Sequence, residues 1–166
     1  LFYAYIGGLQ RFLPASLSLL APNVNSYRRL IRYHAAPINV QWGLDNRTVG
    51  LRVPDSGRES RRVENRVPGA DANPYLAIAA SLACGLLGMQ QKLDPSAPVT
   101  ASAYDMPYEL PRSLEQSLEA LEHCDDLKEM LGTRFVQAWN AVKESEYDTF
   151  LQVISSWERE HLLLNV

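Results

Sequence analysis

The chain has 166 residues, of which 46% are hydrophobic and 21% charged, with a formal net charge of −3 at pH 7. This length suits one domain or a large part of one, and the composition excludes collagen-like and low-complexity classes. No apolar run reaches the roughly 18 residues of a membrane-spanning helix. The two cysteines, Cys84 and Cys124, lack the spacing of a disulfide framework, so we expect a protein of the cytoplasm that does not enter a membrane.

The first third of the chain predicts two helices, a loop and three short strands. Apolar residues recur at helical spacing over residues 2–13, and because this segment has neither a basic n-region nor a small-residue cleavage site, we do not expect it to be a signal peptide. Because the chain begins with Leu1 inside a helical pattern, we expect it to be a fragment of a longer protein. The predicted elements that follow are a helix at 14–20, a loop at 25–37, and strands at 38–42, 48–53 and 61–67.

The rest of the chain predicts helices. Asn73-Pro74 has the residues of an N-cap and a first helical position, and the helix that it begins, at 75–91, is apolar on nearly all sides and so predicted to be buried. A proline-containing loop fills 92–112. Further helices are predicted at 114–122, 125–131 and 133–154, with a last turn at 156–163. The fold class is therefore α+β, a small antiparallel sheet followed by helices.

Charge is divided unevenly along the chain. Residues 1–70 contain ten arginines, no lysine and four acidic residues, whereas residues 71–166 contain six basic and fifteen acidic residues. Arginine has a planar fork of donors that suits carboxylate and phosphate oxygens, and a merely solvated face would mix in lysine. This pattern favours anion recognition in the first half. Nucleic-acid binding is the weaker interpretation, because exposed aromatic residues do not alternate with the arginines.

The third predicted strand contains a carboxylate between two guanidinium groups. Period-two alternation puts Arg62, Glu64 and Arg66 on one face. Such a row is either a structural ion-pair ladder or a metal-binding carboxylate between phosphate-binding arginines. In the second strand, alternation puts Arg47 and Arg52 on opposite faces, unless Arg47 lies at the strand mouth or a bulge occurs at Gly50. Periodicity leaves both questions open.

Four segments, in this order and spacing, resemble the signature blocks of the glutamine synthetase family. They are Asn25-Ser26-Tyr27-Arg28-Arg29-Leu30, Asp45-Asn46-Arg47 with Arg52, Arg61-Arg62-Val63-Glu64-Asn65-Arg66, and Ala72-Asn73-Pro74-Tyr75-Leu76. The resemblance implies an ATP-dependent ligase in which the glutamate γ-carboxylate is phosphorylated and an amine then displaces phosphate. It also implies the C-terminal part of a catalytic domain, with a sheet and active-site half at 1–112, C-terminal helices at 113–166, and the N-terminal domain absent.

The same resemblance implies roles for six residues. Glu64 matches the metal ligand, for Mg²⁺ or Mn²⁺, and Arg29 and Arg66 match the groups that bind glutamate. Arg47, Arg52 and Arg62 match the ATP and phosphate contacts, with Arg47 and Arg66 taking part in catalysis by electrostatic stabilisation. The family further implies a homo-oligomeric ring with active sites shared between subunits.

One position departs from the family's ammonia-using members. Their loop carries a Glu before an Ala-Pro pair, and here that position is Ala35, whose methyl group can neither accept a proton nor neutralise ammonium. The departure favours the γ-glutamylpolyamine (γ-glutamylputrescine) synthetase branch, with His34 as a candidate replacement base. The alternatives are a glutamine synthetase that uses ammonia and a catalytically silent relative of the family. Tyr104, at the place of a modified tyrosine in some bacterial members, is interpreted as an ordinary loop residue.

Overall fold

The chain combines helices with one small sheet, as the sequence predicts, in a computed structural model that describes residues 1–164. Its α-helices are α1 Phe2–Phe12, α2 Leu17–Leu20, α3 Pro74–Gln91, α4 Leu114–Glu122, α5 Asp125–Leu131, α6 Thr133–Leu151 and α7 Ser156–His161. Its strands are β1 Trp42–Leu44, β2 Leu51–Val53 and β3 Glu64–Asn65. Within residues 1–164, no helix is both long and apolar enough to cross a bilayer.

The sheet is mixed rather than antiparallel throughout. Its order is β1-β2-β3, with β1 parallel to β2 and β2 antiparallel to β3. The segment between β1 and β2 turns back sharply, because Asp45 adopts a positive φ of 46° and the Asn46 side chain accepts a hydrogen bond from the Thr48 backbone N–H at 2.9 Å. The chain therefore returns to the level of Trp42 before it pairs, and Trp42 lies beside Leu51.

All three strands are shorter than the sequence predicts, and the first begins later. Ile38 and Val40 are buried but do not belong to β1. Their backbone groups bond to the loop before α4 instead: the Val40 N–H donates to Glu109 Oε2, and the Ile38 carbonyl accepts from the Glu109 N–H. Burial and β-propensity alone do not distinguish such a segment from a strand, because the difference lies in the hydrogen-bond partner.

Helices α1 and α3 pack with their backbones in contact, and the core extends from this crossing. Cβ atoms on Gly8 and Gly88 would lie 2.3 Å from the carbonyl oxygens of Cys84 and Ala4, respectively. Only glycine permits this approach. The core around this crossing is formed by side chains from α1, α3, α2, the sheet and the later helices. They include Ile6, Leu9, Leu13, Leu17, Leu20, Leu51, Val67, Cys84, Leu114 and Leu121.

Helix α3 has the predicted N-cap but not the predicted complete burial. The Asn73 side chain accepts hydrogen bonds from the N–H groups of Tyr75 and Leu76. Along one stripe of the helix, however, Ile78, Leu82 and Leu86 are between 41% and 59% exposed. The expectation that this helix is buried on nearly all sides is therefore wrong for the described chain, because α1, α2 and α5, which pack against α3, leave this stripe uncovered.

Candidate active site

Arg52 lies between two carboxylates at the end of the sheet. Its Nη1 donates to Glu64 Oε2 and its Nη2 to Asp45 Oδ1, both at 2.8 Å. Register explains the first contact, because Arg52 of β2 is the Cα partner of Glu64 in β3. The Glu64 side chain is 45% exposed, so the carboxylate is not sealed in an apolar interior. The row formed by Asp45, Arg52 and Glu64 is therefore partly exposed to solvent and accessible to a ligand.

Arg66 connects β3 to two other segments of the site. Its Nη1 donates to the backbone carbonyls of Arg47 and Val49, and its Nη2 donates to the carbonyl of Ala35 at 3.0 Å. Its Nε is also 4.0 Å from Glu64 Oε1. A single guanidinium group therefore joins the loop of Ala35, the connection before β2 and the candidate metal ligand.

Arg29 approaches the same region from the segment that follows α2. It is half-buried, and its Nη2 donates to the carbonyl of Val67, just after β3. Burial lowers the pKa of the Arg29 guanidinium, the charge of Asp71 opposes this effect, and the positive charge of Arg66 adds to it. The charge of Arg66 therefore acts on Arg29.

Asp71 is a member of the site that the sequence analysis did not identify. It accepts hydrogen bonds from Ser26 Oγ at 2.5 Å and from Asn23 Nδ2 at 3.2 Å. Burial acts to raise the pKa of this carboxyl group, but the hydrogen bonds from Ser26 and Asn23 outweigh it and hold the pKa below its ordinary value. The hydrogen bond from Ser26 to Asp71 connects the segment that contains Arg29 to the loop before α3. Ser26 belongs to a signature block, whereas a lone Asp before Asn73 gave no signal of its own.

Arg47 and Arg62 are both exposed at the edge of this group. Arg47 lies before β2 and outside any strand, so period-two alternation does not apply to it, and its carbonyl is bonded to Arg66. Arg62 lies before β3, and its Nη1 donates to the Ser60 carbonyl at 3.2 Å. The structure thus groups the side chains of Arg52 and Arg66 with Glu64, joins Arg47 to this group only through its backbone carbonyl, and holds Arg62 in the preceding turn.

The loop that contains Ala35 is pinned at both sides. Tyr33 and Ala35 have positive φ angles of 64° and 59°. The Tyr33 hydroxyl donates to Asp105 Oδ1 at 3.2 Å, and its ring contacts the buried ring of Tyr104 at a centroid distance of 5.3 Å. Tyr104 therefore helps to anchor the loop, while the side chains of His34 and Ala35 remain exposed.

The donor set fits part of a metal–nucleotide site. Among residues 1–164 there is no group of three or more His, Cys, Asp or Glu side chains that could hold a metal ion, so Glu64 can contribute one ligand to a site but cannot form one. The Nε atom of Arg52 is buried and lacks a hydrogen-bond partner in the described part of the chain. A buried donor without an acceptor is unfavourable, and an anion beside Arg52 would satisfy it.

Comparison with known proteins connects this geometry to a family. The family model for the glutamine synthetase catalytic domain matches residues 1–162. Type-1 glutamine synthetase 2 of Dictyostelium discoideum is 40% identical over 169 residues, which cover 98% of this chain and 32% of that protein. Gamma-glutamylputrescine synthetase PuuA of Escherichia coli is 40% identical over 163 residues, or 96% of this chain and 34% of that protein. The chain thus spans about a third of the length of the relatives that it matches.

Solved structures share the fold. A ligand-free structure of GmaS superposes with a TM-score of 0.86 at 35% identity, covering 98% of this chain and 38% of that one. A GmaS structure with ADP gives a TM-score of 0.87 at 33% identity, covering 98% and 39%. Both superpositions cover 98% of this chain, so they include nearly all of the helices and strands described above.

Proposed function

The chain belongs to the glutamine synthetase family, and on that premise we propose that its protein joins glutamate to an amine at the expense of ATP. The observation that carries the proposal is the row of guanidinium groups beside Glu64 at an accessible sheet edge. Two arginines, Arg52 and Arg66, converge there with one carboxylate, and guanidinium groups suit the binding of phosphate and carboxylate oxygens. A structural ion-pair ladder would not need Arg66 to link three segments.

The reaction has two steps. A γ-carboxylate oxygen of glutamate attacks the γ-phosphorus of ATP, the bond to the β-phosphate oxygen breaks, and γ-glutamyl phosphate and ADP result. The amine nitrogen then attacks the γ-carbonyl carbon, phosphate leaves, and the nitrogen loses a proton to give the amide. Both steps concentrate negative charge on phosphate oxygens, and fixed guanidinium groups stabilise such charge without reorganisation.

Each charged residue takes a role in this scheme. Arg29 and Arg66 bind the glutamate carboxylate, and Arg66 and Arg47 also stabilise the phosphoryl group in transfer. Arg47 and Arg52 bind the ATP phosphates, and Arg62 is a further contact to ATP. Glu64 provides one ligand for Mg²⁺ or Mn²⁺, an ion that neutralises phosphate charge when it is bound. The effect of the Arg66 charge on the pKa of Arg29 supports the shared glutamate site.

We propose a di- or polyamine such as putrescine as the amine. The support is Ala35, whose methyl group is exposed and whose backbone carbonyl accepts a hydrogen bond from Arg66. The relatives support either choice, since a glutamine synthetase and a γ-glutamylputrescine synthetase are both 40% identical, and a glutamate–isopropylamine ligase of Pseudomonas sp is 37% identical. The second candidate is therefore a glutamine synthetase that uses ammonia.

We further propose that residues 1–166 are the C-terminal part of a catalytic domain in a cytoplasmic, ring-shaped homo-oligomer with active sites between subunits. Coverage of about a third of each relative supports a chain that corresponds to one part of such a protein. Exposed apolar side chains at the end of α6 and in and around α7 support subunit contacts, among them Phe150, Leu151, Val153, Ile154, Trp157 and Leu163. The free cysteines Cys84 and Cys124 suit a reducing compartment.

The test is an activity panel with the full-length protein. Phosphate release and amide formation are measured with glutamate, ATP and Mg²⁺ and, in turn, putrescine, spermidine, ethanolamine and ammonia, with a glutamate-free control. We expect the diamine or polyamine to give the highest kcat/KM. Ammonia as the best substrate would establish the second candidate instead. No product with any amine would contradict the ligase proposal and favour a catalytically silent relative.

A further inference from the structure

We propose that Asp45 is a positioning residue that orients Arg52 toward the phosphates of the nucleotide. This inference rests on the proposed assignment of Arg52 to ATP. Asp45 follows directly after β1, and its carboxylate contacts Arg52 on the side opposite Glu64. Asp45 is part of a signature block, but neither the motif nor its spacing gave it a role.

Both oxygens of Asp45 are engaged, so the carboxylate itself is held in place. Oδ1 accepts from Arg52 Nη2 at 2.8 Å, and Oδ2 accepts from the backbone N–H of Asp55 at 3.1 Å. These bonds, the one from Asp55 first and that from Arg52 second, lower the pKa of Asp45, so the group is ionised at neutral pH. A fixed anion beside a guanidinium restricts its rotation.

The backbone of Asp45 is specialised for this contact. Its φ of 46° is in the left-handed region, where Asp and Asn are enriched several-fold over most residues. The Asp45 N–H donates to the Val53 carbonyl at 3.0 Å, which ties the turn to the strand that contains Arg52. The turn and the ion pair therefore fix each other.

The arrangement divides the two terminal nitrogens of Arg52 between two carboxylates. Without Asp45, the Nη2 atom would be free to turn toward Glu64, and arginine and glutamate pair readily through two parallel hydrogen bonds. Such a pair would withdraw Arg52 from the phosphates and occupy the oxygens of Glu64. With Asp45 present, Arg52 meets Glu64 through Nη1 alone, and its plane and its partnerless Nε stay fixed before a ligand arrives.

The experiment measures ADP binding to the full-length protein by titration calorimetry in Mg²⁺ buffer. Asp45→Asn keeps the side-chain volume and removes the charge, and we expect the Kd for ADP to rise about tenfold, the typical effect of losing a charge-assisted bond. Asp55→Asn is the matched control, because Asp55 contributes only its backbone N–H to Asp45. An unchanged Kd in Asp45→Asn would overturn the proposal.

A second measurement separates positioning from a general structural effect. If Asp45 acts through Arg52, Asp45→Asn should weaken ADP binding less than twofold in an Arg52→Lys background, since residues of one unit are non-additive. The same tenfold loss in both backgrounds would overturn the proposal. The KM for glutamate in Asp45→Asn should stay within twofold of that of the unmodified protein. A rise in this KM as large as the rise in the Kd for ADP would also count against the proposal.

Failure of the positioning role of Asp45 can be distinguished from failure of the proposed ligase function. Calorimetry needs no turnover, so a protein that forms no amide but binds ADP in an Asp45-dependent way contradicts the ligase proposal and supports the positioning role. Should Asp45→Asn fail to fold, Asp45→Glu replaces it. The extra methylene displaces the carboxylate from Arg52, so we expect weaker ADP binding, and unchanged binding in that variant would contradict the role.

Discussion

Arg66 connects the proposed substrate site to a loop. Its guanidinium group donates to the carbonyls of Ala35, Arg47 and Val49 while it lies 4.0 Å from Glu64. An incoming carboxylate or phosphoryl group would compete with these carbonyls for the same donors. Binding at Arg66 and the position of the Ala35 loop are therefore coupled, which makes Ala35 the residue where amine selectivity can be tested directly.

The variant Ala35→Glu should increase the use of ammonia. A carboxylate at this position can neutralise ammonium and accept its proton, and general-base catalysis contributes about 10²–10⁴-fold to rate. We expect kcat/KM for ammonia to rise at least tenfold and kcat/KM for putrescine to fall as the space is filled. The measurement is the amine panel on the full-length protein.

The matched control for this loop is Ala35→Gln, which has nearly the same shape and the same positive φ but no base. It should exclude putrescine equally and leave ammonia use unchanged. Equal gains in the two variants would attribute the effect to shape, and no gain in either would count against the role of this loop.

Glu64→Gln tests the proposed metal ligand. An amide is a poorer ligand than a carboxylate for a hard divalent cation, so we expect half-maximal activity to require at least about tenfold more Mg²⁺. Thermal stability should change little, since the ion pair with Arg52 is partly exposed. Glu59→Gln, an exposed change in the turn before β3, is the control. Identical Mg²⁺ dependence in the two variants would contradict the assignment.

The candidate site was predictable at some residues and not at others. The sequence correctly groups Glu64 with Arg66, because two positions apart in an extended segment share a face. It did not predict that Arg52, twelve residues earlier, is the hydrogen-bonded partner of Glu64, since that contact depends on strand register. The contact of Asp45 with Arg52 depends in addition on the parallel pairing of β1 with β2, whereas the sequence predicted an antiparallel sheet.

At the scale of elements, helices were more predictable than strands. Asn73-Pro74 fixes the start of α3 by local chemistry, and its end at Gln91 agrees with the sequence pattern. The strands are two or three residues long, too short for period-two alternation to define their ends. The crossing of α1 and α3 also has a local signal, the glycines on both helices, but its closeness becomes visible only in three dimensions.

The substitution Gly88→Ala should destabilise the fold through this crossing. The added Cβ would lie 2.3 Å from the Ala4 carbonyl oxygen and 2.4 Å from the Gly8 Cα, both backbone atoms that cannot rotate away. We expect a loss of about 1–3 kcal/mol in the free energy of unfolding, despite the higher helix propensity of alanine. Urea denaturation followed by circular dichroism provides the measurement.

Gly57→Ala is the matched control. A Cβ at Gly57 would have no atom within 4 Å, and its φ of −58° suits any residue. Its stability should stay within about 0.5 kcal/mol of that of the unmodified chain. If Gly88→Ala is as mild as Gly57→Ala, the close contact of α1 and α3 is not a determinant of stability.

At the scale of the whole molecule, the described chain leaves many large apolar side chains exposed to solvent. Ile78, Leu82 and Leu86 of α3 form one exposed stripe, and Ile154 and Trp157 belong to another at the C-terminal end. Contiguous exposed apolar surface is typical of contacts with further protein. Together with the coverage of about a third of each relative, this agrees with a chain that works as part of a larger assembly.

The last prediction concerns residues 1–166 expressed alone. The site has the arginines proposed to hold anions but a single candidate metal ligand, Glu64, and residues 1–164 contain no cluster of ligands that would complete a metal site. Phosphoryl transfer to glutamate needs the divalent cation to neutralise the phosphates, so we expect no amide formation by the isolated chain under conditions in which the full-length protein is active. The assay is product formation with putrescine and with ammonia, and circular dichroism verifies that the isolated chain is folded. Amide formed by the folded 166 residues would show that the arginine cluster and Glu64 suffice, and the proposal that the remaining ligands lie elsewhere in the protein would have to be abandoned.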